Sequence, residues 1–376
     1  MIYDAVIVGA GIMGLSTAHS LLKRGLRHVI VLEAAQVGHD RASSTDATKA
    51  IRYEYGESEI YSRMVDRSIR LWRELEVATG KELYVNCGVV TWGRADAPYA
   101  RSSFNTVSRL GIPIREVSPD ELCRLYPQFS RADITYATVS RFGGFLRASR
   151  CVQGTAQCVT SLGGEIREQA DVMQLSEIAD VVDIVLADGE RIQSRRAVLV
   201  AGAWNARLLP TLGVTIPLTA NKQQVVYVAG LGEEFAPGPF PVFLNLDHDF
   251  YGFPLDENGL FKTSLHLPGP IVDPTKKEPP SVEFEQTIVS LLNKYIPGAA
   301  RGRVSLSRVC MYAMTPDEDF ILDRLPGFSN VVLGAGFSGH GFKFGPLIGE
   351  MLSARLMEEE PVFSLEPFRI DRFAQL

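Results

Sequence analysis

Residues 4–33, DAVIVGAGIMGLSTAHSLLKRGLRHVIVLE, limit what this chain can fold into more than any other stretch. Ala5 to Val8 form a short apolar run of the kind a buried parallel strand needs. Gly9, Gly11 and Gly14 follow at G-x-G-x-x-G spacing. The first allows a tight turn, the second lets backbone N–H groups approach a pyrophosphate, and the third lets the next helix pack closely on the strand. That helix points its partial positive charge at the phosphates. A second strand runs from His28 to Leu32, and Glu33 closes it where an acid accepts hydrogen bonds from ribose hydroxyls. The unit predicts a dinucleotide site and leaves NAD and FAD both open.

At 376 residues the chain is longer than one core supports, which predicts two closely associated domains. Hydrophobic content of 46% and charged content of 22% are those of an ordinary globular protein. A net charge of -6 without any basic run gives no footing for nucleic acid or an anionic membrane. No apolar stretch reaches spanning length, and a strand starting at about residue 3 leaves no room for a targeting peptide, so a cytoplasmic location is expected. The five cysteines, at 87, 123, 151, 158 and 310, are odd in number and lack C-x-x-C spacing. That pattern opposes a disulfide framework and a zinc site, and no metal is expected.

After Glu33, the stretch AAQVGHDRASSTDATKAIRYEYGES predicts an ordered loop becoming a helix near Ala47, which places Lys49 and Arg52 on one helical face. Helical spacing follows from Ile60 to Glu76, stopped by Gly80. From Leu83 the runs are short and alternating, with a capped helix starting at Ser118 and another from Cys151 to Leu162. VMQL, VDIVLADG and RRAVLVAG between Asp171 and Gly202 read as strands with a hairpin at ADGE, and AVLVAGAW as a return to the nucleotide-binding sheet. Beyond Pro217, QQVVYV, PVFLNL, FYGFP and GLFKTSLHL are strand-like. In the last, Lys262, Ser264 and His266 alternate onto one face. An amphipathic helix from Glu283 to Tyr295, the strand SLSRVCMYAM, and a closing strand, glycine turn and helix complete the chain.

Six ordered blocks together resemble a known family: VIVGAGIMG, SST-D-x-T-K-x-IR-YEYGE, AGAW, YGFP with K-x-x-x-H, CMYAMTPDEDF and GAGFSGHGFKF. The resemblance is to the FAD-dependent amine oxidases of the D-amino acid oxidase superfamily, specifically the monomeric sarcosine oxidase and N-methyltryptophan oxidase group. It implies an α/β fold in which a glutathione-reductase-like FAD-binding Rossmann domain (1–82, 145–216, 315–376) interleaves with a substrate domain on a mixed, largely antiparallel sheet (83–144, 217–314). It also implies FAD, a small-molecule amine and O2 as partners of a monomer.

Residue roles carry over from the same resemblance. Cys310 matches the cysteine joined to the flavin 8α-methyl, a position that needs a thiolate beside the ring. Lys262 matches the lysine that activates dioxygen by stabilising developing negative charge. Tyr251 and His266 match active-site residues near it, and Lys49 stands by the flavin where sarcosine oxidases carry arginine and fructosyl amino acid oxidases carry lysine. Arg52 and Lys343 match the pair that grips the substrate carboxylate, one as a bidentate fork and one as a point charge. The cofactor itself is expected along Gly9, Ala10, Gly11, Ile12, Met13, Gly14, Glu33 and Ala34, then Ser43, Ser44, Thr45, Thr48 and Lys49. Val172, Ala201, Gly202 and Trp204 continue the path, which ends at Gly336, Phe337, Gly339, His340, Gly341, Phe342 and Lys343. The implied reaction moves hydride from the carbon next to nitrogen to flavin N5, hydrolyses the imine and reduces O2 to hydrogen peroxide. Two alternatives stay open: a fructosyl amino acid oxidase, and a dehydrogenase using another acceptor. The acidic LDENG loop after YGFP faces either a larger or cationic substrate or solvent.

Overall fold

The computed structural model describes residues 2–94 and 98–374, so 1, 95–97 and 375–376 of the expected domain ranges lie outside the described residues. Alternation along the first strands decides the architecture. Ala5, Ile7, Val29 and Val31 enter one core, while Val6, Val8, Ile30 and Leu32 enter another on the opposite face. A strand apolar on both sides must be covered on both sides, which is the parallel-sheet condition.

That sheet has six strands in the order Glu165–Arg167, Val29–Leu32, Ala5–Val8, Ala197–Leu199, Val331–Ala335 and Ile321–Arg324. All pair in parallel except the last. The helices Ile12–Lys23, Glu59–Thr79, Ala148–Ser161 and Gly345–Met357 cover one face, and a four-stranded sheet covers the other. Gly14 sets the distance between the first helix and its strand: a Cβ there would stand 1.9 Å from the Gly9 carbonyl oxygen. The expected return of AVLVAGAW to this sheet is observed, with Val198 paired to both Ile7 and Val332.

The second large sheet has eight strands in the order Arg303–Met314, Thr219–Ala229, Phe261–Leu265, Phe250–Leu255, Val242–Asn245, Val89–Gly93, Tyr136–Ser140 and Ile114–Val117. Only the pair Val242–Asn245 with Val89–Gly93 is parallel. Its apolar face packs Trp92, Phe240, Phe243, Phe250 and Phe261 against the helix Val282–Tyr295. Phe261 belongs to that core, so its neighbour Lys262 emerges on the other face.

The segment after Glu33 departs from the expectation. No helix starts at Ala47; Thr48–Ile51 is a strand, antiparallel to Gly144–Arg147 in a three-stranded sheet. β-branched Thr48 and Ile51 favour the extended form, and the waiting edge of Gly144–Arg147 outweighs local helical preference. Lys49 and Arg52 therefore do not share a helical face, since positions three apart in extended chain point to opposite sides.

Candidate active site

A cavity of about 440 Å³ runs from Gly11 and Glu33 past Lys49 to Tyr312, Gly339 and Phe342. At its first end the Glu33 carboxylate accepts from the Ala10 and Ala35 amides at 2.9 and 3.0 Å. Ser44 Oγ accepts from the Ile12 amide, at the start of the first helix, at 3.0 Å. At the other end Gly339 has φ +76°, and a Cβ there would come within 2.2 Å of the Tyr312 ring. A long, largely apolar slot with a glycine turn and a buried acid at one end fits an extended dinucleotide such as FAD. The expected cofactor residues all line it except Ala10, Gly14, Thr45, Thr48, Gly336, His340 and Lys343.

Two side-chain clusters flank the far end. In the first, the Lys262 ammonium is 2% exposed and donates to Asp46 Oδ2 at 2.6 Å and to the Thr48 carbonyl at 2.7 Å. Lys49 Nζ lies 3.3 Å from the same Asp46 oxygen, while Asp46 Oδ1 accepts from the Ala47 amide at 2.8 Å and from the Tyr227 hydroxyl. Burial pulls Lys262 down to about 8 against the attraction of Asp46. Burial alone would raise the Asp46 carboxyl, but Lys262 and Lys49 hold it well below the carboxylate range. Cys310, buried on the neighbouring long strand, is pushed up by burial while the field of Lys49 and Lys262 pulls it down.

In the second cluster, Lys343 is buried and donates to the Tyr55 hydroxyl and the His340 carbonyl, each at 2.7 Å. The Arg52 guanidinium stacks 4.8 Å from the Tyr55 ring centre, and its Nη1 is buried without a hydrogen-bond partner. Among the described residues neither cation has a carboxylate within ion-pair distance. Buried Glu54 is the acid whose field reaches Arg52, and burial holds its carboxyl above its usual value. Burial and the nearby Arg52 push Lys343 well down. His266 is brought to about 4 by burial, Arg52 and Lys343, and so stays neutral. Its ring lies 6.0 Å from Tyr312 and 6.4 Å from Tyr251, centre to centre. Lys262 and His266 thus begin along one strand but serve different clusters.

The model of the family of FAD dependent oxidoreductases matches residues 4–355. The chain belongs to that family. This oxidoreductase is 32% identical over 389 residues to the peroxisomal sarcosine oxidase of Homo sapiens, covering 100% of this chain and 97% of that one. It is 30% identical over 377 residues to the monomeric sarcosine oxidase of Arthrobacter sp., covering 98% and 96%. Among solved structures, an L-proline dehydrogenase from P. horikoshii superposes with a TM-score of 0.89 at 22% identity, covering 100% of this chain and 98% of that one, a likeness of fold. The helices and sheets of this oxidoreductase accordingly form an FAD-binding fold joined to a substrate-side sheet. No described helix is long and apolar enough to cross a membrane.

Several residues of these clusters escaped the sequence reading. Asp46 stood inside the SST-D-x-T-K block without a role, although a carboxylate three residues from Lys49 was a pairing signal. Tyr312 was findable from its spacing of two from Cys310 on one strand, which puts both on one face. Tyr55, Tyr61 and Tyr227 carried no such signal. Tyr61 stacks on Tyr55 at 5.0 Å only because helix Glu59–Thr79 folds back. The LDENG loop is committed elsewhere: Glu257 pairs with Arg150 and Arg147, and Asp256 caps its own turn through Asn258 and Leu260.

Proposed function

We propose that this chain is an oxidase of secondary amines or amino acids of the N-methyl amino acid type, with O2 as electron acceptor and FAD joined through Cys310. The observation that carries the reading is the juxtaposition of half-buried Arg52, whose Nη1 is buried without a hydrogen-bond partner, and buried Lys343, next to cavity-lining Phe342, with no carboxylate paired to either among the described residues. The guanidinium keeps its charge and lacks a counter-ion until a ligand supplies one, while the depressed Lys343 regains its proton beside an arriving anion; an amino acid carboxylate matches the forked guanidinium and answers both. The same two charges disfavour an ammonium nearby, so they bias a bound amine toward its neutral form. His266, already neutral, adds no third charge. FAD held along the cavity by residues such as Gly11, Glu33, Lys49 and Gly339 would supply the acceptor for hydride from the carbon next to nitrogen and the route of its electrons to O2, giving peroxide and an imine that water would hydrolyse. Arg52 and Lys343 orient that carbon, and the tyrosines around them keep water from it. Lys262 holds a positive charge where oxygen gains negative charge. The names of the human and Arthrobacter relatives point to sarcosine.

The interleaved domain ranges belong to the same proposal. Every strand of the six-stranded sheet falls in 1–82, 145–216 or 315–376, and every strand of the eight-stranded sheet in 83–144 or 217–314.

A peroxide-release screen over sarcosine, other N-methyl amino acids, cyclic imino acids, D-amino acids and fructosyl amino acids tests the substrate class. Turnover of N-methyl amino acids is expected; turnover of glycated amino acids alone would give the function to the deglycating alternative. For the acceptor, Lys262→Met should slow reoxidation by O2 about 10²–10³-fold. An unchanged rate would leave a dehydrogenase. Acid precipitation should leave yellow colour in the pellet, and loss of colour to the supernatant would make Cys310 a free thiol.

A further inference from the structure

Asp46 gathers four donors around one buried carboxylate: the Lys262 and Lys49 ammonium groups, the Tyr227 hydroxyl and the Ala47 amide. A lysine ammonium has three hydrogens to give. For Lys262 one goes to Asp46 Oδ2 at 2.6 Å and one to the Thr48 carbonyl at 2.7 Å, which leaves a single N–H uncommitted by hydrogen bonds. The Phe253 ring, 4.7 Å from the nitrogen, closes a further side of the group. The ammonium is thereby held in one place and one orientation by Asp46 and by the first residue of the strand Thr48–Ile51, not by its own strand.

We infer that Asp46 is a positioning residue for Lys262: its carboxylate fixes the place of the ammonium and keeps it charged, and so governs the oxygen side of the reaction. The inference rests on the oxidase reading above.

Every titratable group packed around Lys262 acts on its charge. Lys49, from the strand Thr48–Ile51, opposes the proton on Lys262, whereas Asp46 favours it; Cys310, from the strand Arg303–Met314, would favour it only as a thiolate and adds no charge as a thiol or thioether. Tyr227, from Thr219–Ala229, stays protonated because burial and Asp46 both raise it, so it donates to Asp46 and adds no charge. Tyr251 and Tyr312 are likewise raised by burial and feel the Asp46 charge. Asp46 is therefore the one full negative charge in contact with Lys262 among the described residues. An opposite charge at this distance shifts a partner by about 1–3 pH units.

The test has two readouts. In protein labelled with ¹³Cε-lysine, the Lys262 resonance, assigned by its absence in Lys262→Met, should titrate near 8. In Asp46→Asn the midpoint should fall by about 1–3 pH units. In stopped-flow reoxidation of the reduced holoenzyme, the pH above which the rate declines should move down by the same interval. An unmoved lysine midpoint with an unmoved rate inflection overturns the inference. So does a uniform slowing of both half-reactions without displacement, since a merely structural Asp46 would produce that. If Asp46→Asn does not accumulate as folded protein, Asp46→Glu keeps the charge but moves it. Slower reoxidation with an unshifted inflection and an unchanged reductive half-reaction supports the inference, and a wild-type reoxidation rate or equal slowing of both half-reactions overturns it. Failure of the oxidase reading is separately visible, because Lys262→Met itself would then reoxidise at the wild-type rate.

Discussion

The proposed recognition of a substrate carboxylate by half-buried Arg52 and buried Lys343 can be tested one side chain at a time. Replacing Arg52 by Met removes a charge-assisted hydrogen bond of about 1.5–3 kcal/mol. The kcat/KM for a carboxylate-bearing amine should fall about 10–100-fold. Amines lacking the carboxylate should be much less affected, and an equal loss on both would detach Arg52 from carboxylate recognition. Lys343 gives a different signature. Burial and Arg52 depress its proton affinity, and an arriving carboxylate restores it. Binding of a small carboxylate ligand should therefore take up protons at pH values between the depressed value of Lys343 and the usual lysine range, and weaken as pH rises. Calorimetry in two buffers of different ionisation enthalpy measures this, and identical heats would contradict it. Arg52, Lys343 and Lys262 were legible in the sequence because their blocks are; Tyr55 as partner of Lys343, and Asp46 and Thr48 as partners of Lys262, were not, since those contacts join residues more than 200 positions apart.

Among the elements, the glycine turns can be tested independently of the chemistry. An alanine at Gly339 must take a left-handed φ, costing about 1–2 kcal/mol, and must displace Tyr312, whose ring it would meet at 2.2 Å. Gly339→Ala should lower both Tm and the flavin-to-protein ratio, and a fully flavinylated variant with unchanged Tm would refute the close approach. The first strand, turn and helix were readable because each local signal agrees with the next: apolar run, glycine spacing, acid. Thr48–Ile51 was misread for the converse reason. Its fate depends on pairing with Gly144–Arg147, nearly a hundred residues on, and no local preference announces that partner. The misreading hid the feature that matters there: extended chain sends Lys49 and Arg52 to opposite sides, one into each cluster.

For the whole molecule, the desolvated histidines, His266 with His19 and His340, have a consequence for acid stability. His266 is at about 4 in the folded state against an unfolded value of 6.5. Above pH 6.5 it is neutral in both states, so folding costs nothing there. Between 6.5 and 4 only the unfolded chain takes up the proton, and stability falls as pH falls, by up to about 3 kcal/mol. Denaturation midpoints measured across that window should drop, and His266→Asn should flatten the slope in part; an unchanged slope would mean His266 is solvated. The two-sheet architecture itself was accessible from strand composition, since the runs covered on both faces and the aromatic alternating runs differ visibly. What was not accessible is how the sheets are tied together, because Asp46 finds Tyr227 181 residues away and Lys262 216 residues away. That separation orders events in time. A nascent chain can form its first strand, turn and helix early, yet the Asp46 carboxylate lacks its two distant partners until the segments carrying Tyr227 and Lys262 have emerged and paired. Pulsed hydrogen exchange during refolding should protect the amides of Val225–Val228 before those of Thr48–Ile51, and the reverse order would show that the loop closes without its distant anchors.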